Sequence, residues 1–110
     1  MKKQNKKEKI AAVVVTYNRK ELLKECLDAL LRQTYSVDSI ILIDNASNDG
    51  TPEFLKENGY LDNPKIDYVR LPENTGSAGG FYDGVKRGYK KGFVGDTGII
   101  NMILIENHLL

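Results

Sequence analysis

The sequence lacks the features that mark several common classes of protein. Cys26 is the only cysteine, which excludes an internal disulfide framework. No apolar run approaches the length of a transmembrane helix, and the apolar stretch at 10–15 is too short for the core of a secretory signal peptide. No charge of one sign dominates, because 16 basic residues face 15 acidic ones, and this balance argues against a nucleic-acid-binding surface.

The positive charge is concentrated at the N-terminus. Residues 1–9 contain five lysines and one glutamate and carry +4, so residues 10–110 carry −3 in a chain of net charge +1. We interpret 1–9 as a basic, disordered and solvated arm, with weak peripheral contact to an anionic membrane as its alternative role. The part that follows is mildly acidic.

The segment 40–51 has the clearest local pattern in the chain. Its first four residues are apolar and run without alternation, which is typical of a parallel strand covered on both faces. A change to small polar and acidic residues at Asp44 marks the end of that strand. Thr51 then has the properties of a helix N-cap, with Pro52 at the first helical position. The segment is predicted to form a strand, a polar loop and the start of a helix.

The rest of the chain repeats this order of strand and helix. Further strands are predicted at 10–15, 66–71 and 99–105. Asn18 and Glu21 have the spacing of a capping box, which predicts a helix after the first strand. The apolar side chains of this helix form one stripe that includes Cys26, which we interpret as a core residue and not as a nucleophile.

The segment 77–91 has helical periodicity but contains three glycines at intervals of four residues. Three glycines cost a helix roughly 2 to 3 kcal/mol relative to alanine, so something must approach the bare stripe closely. For Gly84 and Gly88 we favour tight packing of the helix on the sheet. We favour the approach of a ligand for the three glycines in the loop and first turn, which are Gly76, Gly79 and Gly80.

Polar residues follow three of the predicted strands at the points where these strands end. They are Thr16, Tyr17 and Asn18, then Asp44, Asn45 and Ser47, then Asn74 and Gly76. Because ligands of an open α/β sheet bind outside the carboxyl ends of its strands, these groups are expected to converge on one crevice. An aromatic face, a carboxylate and backbone N–H groups together suit a nucleotide. The alternative is that the polar groups after the second strand only form Asx turns and a helix cap.

The residues after the first strand argue against a dinucleotide-binding fold. Such a fold requires a glycine fingerprint at that position, and this chain has Thr-Tyr-Asn-Arg there. A dehydrogenase is therefore disfavoured.

Three motifs in order resemble the N-terminal half of the family 2 glycosyltransferases. They are Val-Val-Thr-Tyr-Asn-Arg, Ile-Asp-Asn-Ala-Ser-Asn-Asp-Gly-Thr and Asn-Thr-Gly-Ser-Ala-Gly-Gly-Phe, and the resemblance spans about 10–92. The last motif looks closest to the rhamnosyl- and galactofuranosyl-transferase branch. The resemblance implies an α/β fold, a partial GT-A or Rossmann-like three-layer sandwich with a mostly parallel sheet and helices on both faces.

The resemblance also implies a sugar-nucleotide donor, usually linked to UDP or dTDP. By analogy the base lies near Thr16, Tyr17 and Asp44, with Asn18 and Arg19 beside the nucleotide and 74–80 near the base, ribose or diphosphate. The family reaction is the attack of an acceptor hydroxyl on the anomeric carbon, with inversion. It commonly uses Mg²⁺ or Mn²⁺ on an aspartate motif, and a carboxylate base.

The sequence departs from the family where the metal-binding aspartates are expected. The region 97–105 contains no Asp-x-Asp, and Glu106 and His108 are a poor set of ligands for Mg²⁺. We therefore predict neither a metal site nor catalytic residues in this chain.

This departure sets the predicted organisation and function. Three segments are predicted: the arm at 1–9, the nucleotide-binding half of a GT-A domain at 10–98 and a divergent or truncated tail at 99–110. The chain is predicted to be a glycosyltransferase fragment without turnover of its own, which associates with a chain carrying the missing half. The alternative is a non-catalytic nucleotide-binding or protein-interaction module. The expected location is the cytoplasm, including its membrane face.

Overall fold

The computed structural model describes residues 9–33, 37–93 and 98–106. The strands are β1 Lys9–Tyr17, β2 Ser39–Asp44, β3 Ile66–Arg70 and β4 Gly98–Glu106. The helices are α1 Lys20–Leu31, α2 Thr51–Glu57 and α3 Gly76–Lys90, with a short 3-10 turn at Tyr60–Asp62. The predicted arm lies outside the described residues except for Lys9, which begins β1. His108 also lies outside them.

The four strands form one parallel sheet in the order β3-β2-β1-β4. The central strands β1 and β2 are buried over most of their length, because their uninterrupted apolar runs are covered on both faces. The strand predicted at 99–105 is confirmed, and it pairs with β1 along its whole length. The segment 99–110, predicted to diverge from the family, therefore begins inside a strand of the same sheet.

Two apolar clusters lie on opposite faces of the sheet. On one face, Leu23 and Leu27 of α1 and Leu55 of α2 pack on the even-numbered residues of β1 and β2. On the other face, α3 packs on the odd-numbered residues, with Phe81 at the edge of that cluster. The predicted three-layer arrangement with helices on both faces is confirmed.

The apolar stripe of α1 is narrower than its sequence suggests. Leu23, Leu27 and Leu30 are buried, whereas Leu22 is exposed. Cys26 is partly buried and packs against the core, as predicted for a residue of the stripe.

Both predicted N-caps are wrong by one position. The residue before α1 is Arg19 and the residue before α2 is Gly50, and neither makes a side-chain capping bond. Asn18 instead lies at φ +53°, where its side chain bonds to a distant loop. Gly50 takes φ +86°, a conformation that glycine adopts without steric cost, and Thr51 becomes the first helical residue.

The glycine stripe of α3 lies against the sheet. A Cβ at Gly84 would collide with the side chain of Val13, and a Cβ at Gly88 would lie 3.1 Å from Cδ1 of Ile100. The prediction of close helix packing at Gly84 and Gly88 is confirmed. None of the three helices is long and apolar enough to cross a membrane, within the ranges that the structure covers.

Candidate functional site

The carboxyl ends of β1 and β2 are joined directly at the polar edge of the sheet. The backbone N–H of Asn45, just after β2, donates to the carbonyl of Thr16 at 2.9 Å. On the other side of β2, the backbone N–H of Leu71 donates to the carbonyl of Asp44 at 2.9 Å. Backbone hydrogen bonds therefore hold together the ends of β1, β2 and β3, from which the three loops start.

The side chain of Asn45 holds the start of α3. Its Oδ1 accepts hydrogen bonds from the backbone N–H of Thr75 at 3.1 Å and from the Thr75 hydroxyl at 3.3 Å, and its Nδ2 donates to the carbonyl of Gly76 at 2.9 Å. Asn45 is buried whereas Thr75 and Gly76 are exposed, so these bonds are partly shielded from water. The polar loop after β2 and the glycine loop before α3 are thus joined, as the sequence predicts.

Asn18 joins the loop after β1 to the loop after β2. Its backbone N–H donates to Oγ of Ser47 at 2.9 Å, and its carboxamide exchanges two hydrogen bonds with Asn48, at 2.9 and 2.8 Å. Asn18 and Ala46 both have positive φ, which is uncommon outside glycine and costs more for alanine than for asparagine. Backbone strain of this kind tends to occur at functional sites.

Asp44 is fully buried, and both of its carboxylate oxygens accept hydrogen bonds from protein groups. Oδ1 accepts from the backbone N–H of Ser47 at 2.9 Å. Oδ2 accepts from the Tyr68 hydroxyl at 2.6 Å and from the Arg70 guanidinium at 3.3 Å. Burial, and after it the bond to Asp44, raises the pKa of Tyr68 well above its ordinary value. A direct contact between Asp44 and a nucleotide stays a prediction; the carboxylate can accept about four hydrogen bonds, and protein groups supply three of them.

The alternation of β1 and β2 divides the predicted site residues between the two faces of the sheet. Thr16 and Asp44 lie on the face of α1 and α2, where both are fully buried. Tyr17 continues the odd-numbered row of β1 toward the start of α3 and is only half-buried, as is Arg19. Asn74 is exposed. Among the predicted site residues, Tyr17, Asn18, Arg19 and Asn74 are thus half-buried or exposed in this structure, and ligand contacts at the buried ones stay predictions.

The start of α3 presents free backbone donors. Gly76 has φ +79°, and its own N–H donates to Oδ1 of Asn74 at 2.8 Å. The N-cap residue Thr75 makes no side-chain capping bond, because its hydroxyl is bonded to Asn45. A Cβ at Gly79 would collide with the Thr75 side chain, so glycine keeps this first turn open. The N–H groups of the first turn and the helix dipole together favour a negatively charged group.

Gly80 has a packing role that the sequence did not reveal. It is buried, and a Cβ at this position would lie 2.6 Å from Cγ1 of Val15. Close packing on β1 is sufficient to require glycine here. Packing thus gives a second reason for glycine at position 80, and ligand contacts at Gly76, Gly79 and Gly80 stay predictions.

A divalent metal at this edge of the sheet would need several carboxylate or imidazole ligands close together. The described part of the chain holds no group of three or more metal-ligating side chains. Glu106, at the end of β4, stands in register with Tyr17, and its Oε2 is buried without a hydrogen-bond partner in that part of the chain. Mg²⁺ binds through one or two carboxylates together with substrate phosphates and water. A single carboxylate therefore does not form a metal site by itself.

Three residues of this edge were not found from the sequence: Asn48, Tyr68 and Arg70. Tyr68 and Arg70 lie on β3 in register with Leu42 and Asp44 of β2. Aligning the ends of the predicted strands would have placed Arg70 beside Asp44. Asn48 carries no comparable signal, because its partner Asn18 is 30 residues away.

Comparison with known proteins identifies the family. Residues 11–93 match the model for Glycosyl transferase family 2. The chain belongs to this family. β4 lies beyond the matched range.

The family 2 relatives are much longer than this chain. Glycosyltransferase GlyA of Streptococcus pneumoniae is 35% identical over 63% of the chain and 10% of that protein. Galactofuranosyltransferase GlfT1 of Mycolicibacterium smegmatis is 36% identical over 67% of the chain and 23% of that protein, in agreement with the branch expected from the sequence. The chain thus spans only a small part of the family 2 relatives it matches.

A solved structure supports the fold. A mannosyltransferase from Pyrobaculum calidifontis, in complex with GDP-Man and Mn²⁺, is similar with a TM-score of 0.65 and 27% identity. The similarity covers 74% of this chain and 25% of the mannosyltransferase. The predicted α/β, GT-A type fold is confirmed.

Proposed function

We propose that this family 2 chain binds a sugar nucleotide, linked to UDP or dTDP, at the carboxyl ends of β1 and β2 and the start of α3. The observation that carries the proposal is the hydrogen bonding of Asn45 to Thr75 and Gly76, which fixes a polar loop beside an uncapped helix N-terminus. In support, the similar mannosyltransferase is described with a bound nucleotide sugar.

The half-buried ring of Tyr17 is the surface on which we place the base. Aromatic faces stack on bases of any identity, so this contact supplies affinity and little selectivity. The diphosphate then lies at the first turn of α3, where Ser77, Ala78 and Gly79 offer backbone N–H groups. Arg19, half-buried at the other side of the crevice, supplies a fixed positive charge.

The proposed reaction of the family domain is an inverting transfer. The oxygen of an acceptor hydroxyl forms a bond to the anomeric carbon as the bond from that carbon to the phosphate oxygen breaks. The hydroxyl proton passes to a base, and the nucleoside diphosphate leaves with the bonding electrons. A divalent metal would neutralise the charge of the leaving group in such a reaction, and the described residues do not group into a site for it.

We propose that this chain by itself binds the donor without turning it over. Its described residues supply neither a cluster of metal ligands nor an exposed carboxylate base beside Tyr17. Turnover would then require the remaining part of the domain, which the longer relatives carry. The alternative function is a non-catalytic nucleotide-binding or protein-interaction module. The lack of a cluster of metal ligands among the described residues fits this alternative equally well. A cytoplasmic location stays a prediction.

The test is calorimetric titration of the purified chain with UDP, dTDP and GDP, each with and without Mn²⁺. The Tyr17→Ala variant removes the proposed stacking surface, and Tyr82→Ala is the matched control on an exposed part of α3. Asp44→Ala is less suitable, because it would leave Tyr68 and Arg70 without their buried partner.

Binding of UDP or dTDP that is lost in Tyr17→Ala and kept in Tyr82→Ala would support the proposal. Metal-independent binding would fit a site built from Tyr17 and α3 alone, and a strict need for Mn²⁺ would assign a ligand role to Glu106. A folded chain that binds none of the three nucleotides at millimolar concentration would overturn it. Preference for GDP would overturn the proposed base.

A further inference from the structure

The positive charge of this chain is concentrated in two segments that are far apart in the sequence. Residues 1–9 carry +4, and residues 86–91, at the end of α3, also carry +4. The remaining residues therefore carry −7 in a chain of net charge +1. Two basic segments can attract the same partner only if the fold brings them to one surface.

The fold brings the start of β1 next to the end of α3. Lys9, the last residue of the basic arm, begins β1, and a Cβ at Gly92 would lie 3.8 Å from its Nζ. Gly92 lies two residues beyond the end of α3. The ammonium group of Lys9 therefore belongs to the same surface as the basic end of α3.

The basic side of α3 faces β3 and is directed away from β4. Arg87 and Lys91 both contact Oδ2 of Asp67 on β3, at 3.4 and 3.2 Å. Gly88, on the other side of the helix, faces Ile100 of β4. The position of the basic side therefore does not depend on what lies beyond β4.

A cavity of about 290 Å³ lies among the basic side chains of α3. Its lining residues are Asp83, Lys86, Arg87, Lys90 and Lys91. In the part of the chain that the structure describes, Arg87 and Lys91 pair with Asp67, whereas Lys86 and Lys90 pair with no carboxylate. Like charges four residues apart on a helix repel each other, so a negatively charged group beside Lys86 and Lys90 would be stabilising.

The helix dipole does not by itself account for this cluster. It favours cations in the last turn of a helix, which here contains Arg87 and Lys90. Lys86 precedes that turn, and Lys9 comes from another element. These residues and Lys91 are all exposed, and we call the five together the basic face.

We propose that the basic face, together with the arm, docks on a bilayer that contains anionic phospholipid. The face and the arm hold nine basic residues, and a cluster of this size is enough to attract a negatively charged membrane surface. Eight of the nine are lysines. A flexible ammonium group suits lipid phosphates that have no fixed positions, whereas the fork of arginine suits a single fixed phosphate.

A bilayer fits this face better than a nucleic acid does. Proteins that bind single strands combine basic grooves with aromatic side chains, and no aromatic residue lines this cavity. The −7 carried by the rest of the chain would repel a polyanion that extends beyond the basic face. A bilayer touches one face only, and the same negative charge would turn that face toward it.

This inference does not rest on nucleotide binding. The proposed nucleotide crevice lies at the start of α3, and the basic face lies at its end. Because α3 has 15 residues, its two ends are about 20 Å apart. The chain can therefore dock through one end of α3 while the other end stays open to a nucleotide.

The test is cosedimentation of the purified chain with two kinds of vesicle, phosphatidylcholine alone and phosphatidylcholine mixed with phosphatidylglycerol. We expect binding to the mixed vesicles only. Binding should be weaker at about 0.5 M salt than at about 0.05 M salt, because salt screens exposed charges.

Two double variants with the same change in net charge separate this face from charge in general. Lys86→Glu with Lys90→Glu should lower binding to the mixed vesicles by about tenfold or more. Arg32→Glu with Lys56→Glu is the matched control, because both residues are exposed and belong to α1 and α2 on the opposite face of the sheet. The control should keep most of the binding, and circular dichroism shows whether both variants are folded.

Several outcomes would overturn the proposal. A folded wild-type chain that binds neither kind of vesicle at low salt is one of them. Equal losses in the two double variants would mean that binding follows net charge or the arm alone. Release by inorganic phosphate beyond that by chloride at equal ionic strength would indicate a site for free phosphate. Binding of single-stranded DNA or self-association, without binding to vesicles, would assign the face to a nucleic acid or to a second copy.

Discussion

The hydroxyl of Tyr68 donates a hydrogen bond of 2.6 Å to Oδ2 of Asp44, across the adjacent strands β3 and β2. Asp44 is the residue that the sequence marks most clearly as a ligand group, and it is fully buried. Its carboxylate is held by Tyr68, Arg70 and the backbone of Ser47. In this structure Asp44 therefore fixes the loop after β2, and any contact with a nucleotide would come in addition to that role.

Removing the Tyr68 hydroxyl should destabilise the fold. Tyr68→Phe loses a hydrogen bond to a buried carboxylate, and we expect the free energy of unfolding to fall by about 1 to 2 kcal/mol. Urea denaturation followed by circular dichroism measures this change. Tyr82→Phe, at an exposed position without such a bond, is the control and should leave stability unchanged.

The same hydroxyl makes stability depend on alkaline pH. The pKa of Tyr68 is raised in the folded chain, so its contribution is complete below the unfolded value of about 10 and is lost as pH rises above it. Unfolding curves should show the wild-type chain losing stability above about pH 10, with a smaller loss in Tyr68→Phe. Equal alkaline losses in both chains would contradict this assignment.

Alanine substitutions in the glycine stripe of α3 should lower the stability of the fold to different degrees at Gly84 and Gly88. Gly84→Ala would force a Cβ against Val13, a stiff β-branched residue of the central strand, and should cost about 1 to 3 kcal/mol of stability. Gly88→Ala meets only the end of the Ile100 side chain at 3.1 Å, and alanine favours the helix. We expect Gly88→Ala to lie within about 1 kcal/mol of the wild type. Equal losses would show that the two contacts are not as different as the distances imply.

The sheet and the position of the site could be predicted from local patterns. Uninterrupted apolar runs identify the buried strands, and the change to polar residues at their ends identifies the edge where β1 and β2 meet. The packing role of Gly84 and Gly88 follows from their spacing. These features need no knowledge of which strands are neighbours.

The remaining features depend on contacts between distant parts of the chain. Asn18 has the spacing of a capping residue, but its carboxamide bonds to Asn48, 30 residues away. The packing contact of Gly80 with Val15 joins two segments 65 residues apart, and no local pattern shows it. The burial of Asp44 depends on the register between β2 and β3, which no local pattern fixes.

Cys26 should be a poorly reactive thiol in the folded chain. It packs against the core, and burial raises its pKa, which lowers the fraction of reactive thiolate near neutral pH. Reaction with an aromatic disulfide reagent should be about tenfold slower in the native chain than in urea. Equal rates would contradict a packed Cys26 and would reopen the interpretation of this residue as a nucleophile.

The carboxamide of Asn45 provides the most direct link between fold and site. Asn45→Ala removes three hydrogen bonds to Thr75 and Gly76, so the loop before α3 must be ordered at the moment of binding. We expect nucleotide affinity to fall by about tenfold, measured by calorimetry well below the unfolding transition. Stability should fall as well, because buried polar groups lose their partners.

Gly84→Ala is the matched control for that experiment. It disturbs the packing of α3 on the sheet about two turns further along the helix and leaves the hydrogen bonds of Asn45 in place. If Asn45 acts by ordering the loop, Gly84→Ala should lower stability without a comparable loss of affinity. If both variants lose affinity in proportion to their loss of stability, Asn45 acts only through the fold. The position of Asn45 between the loop after β2 and α3 would then be structural and not part of the binding site.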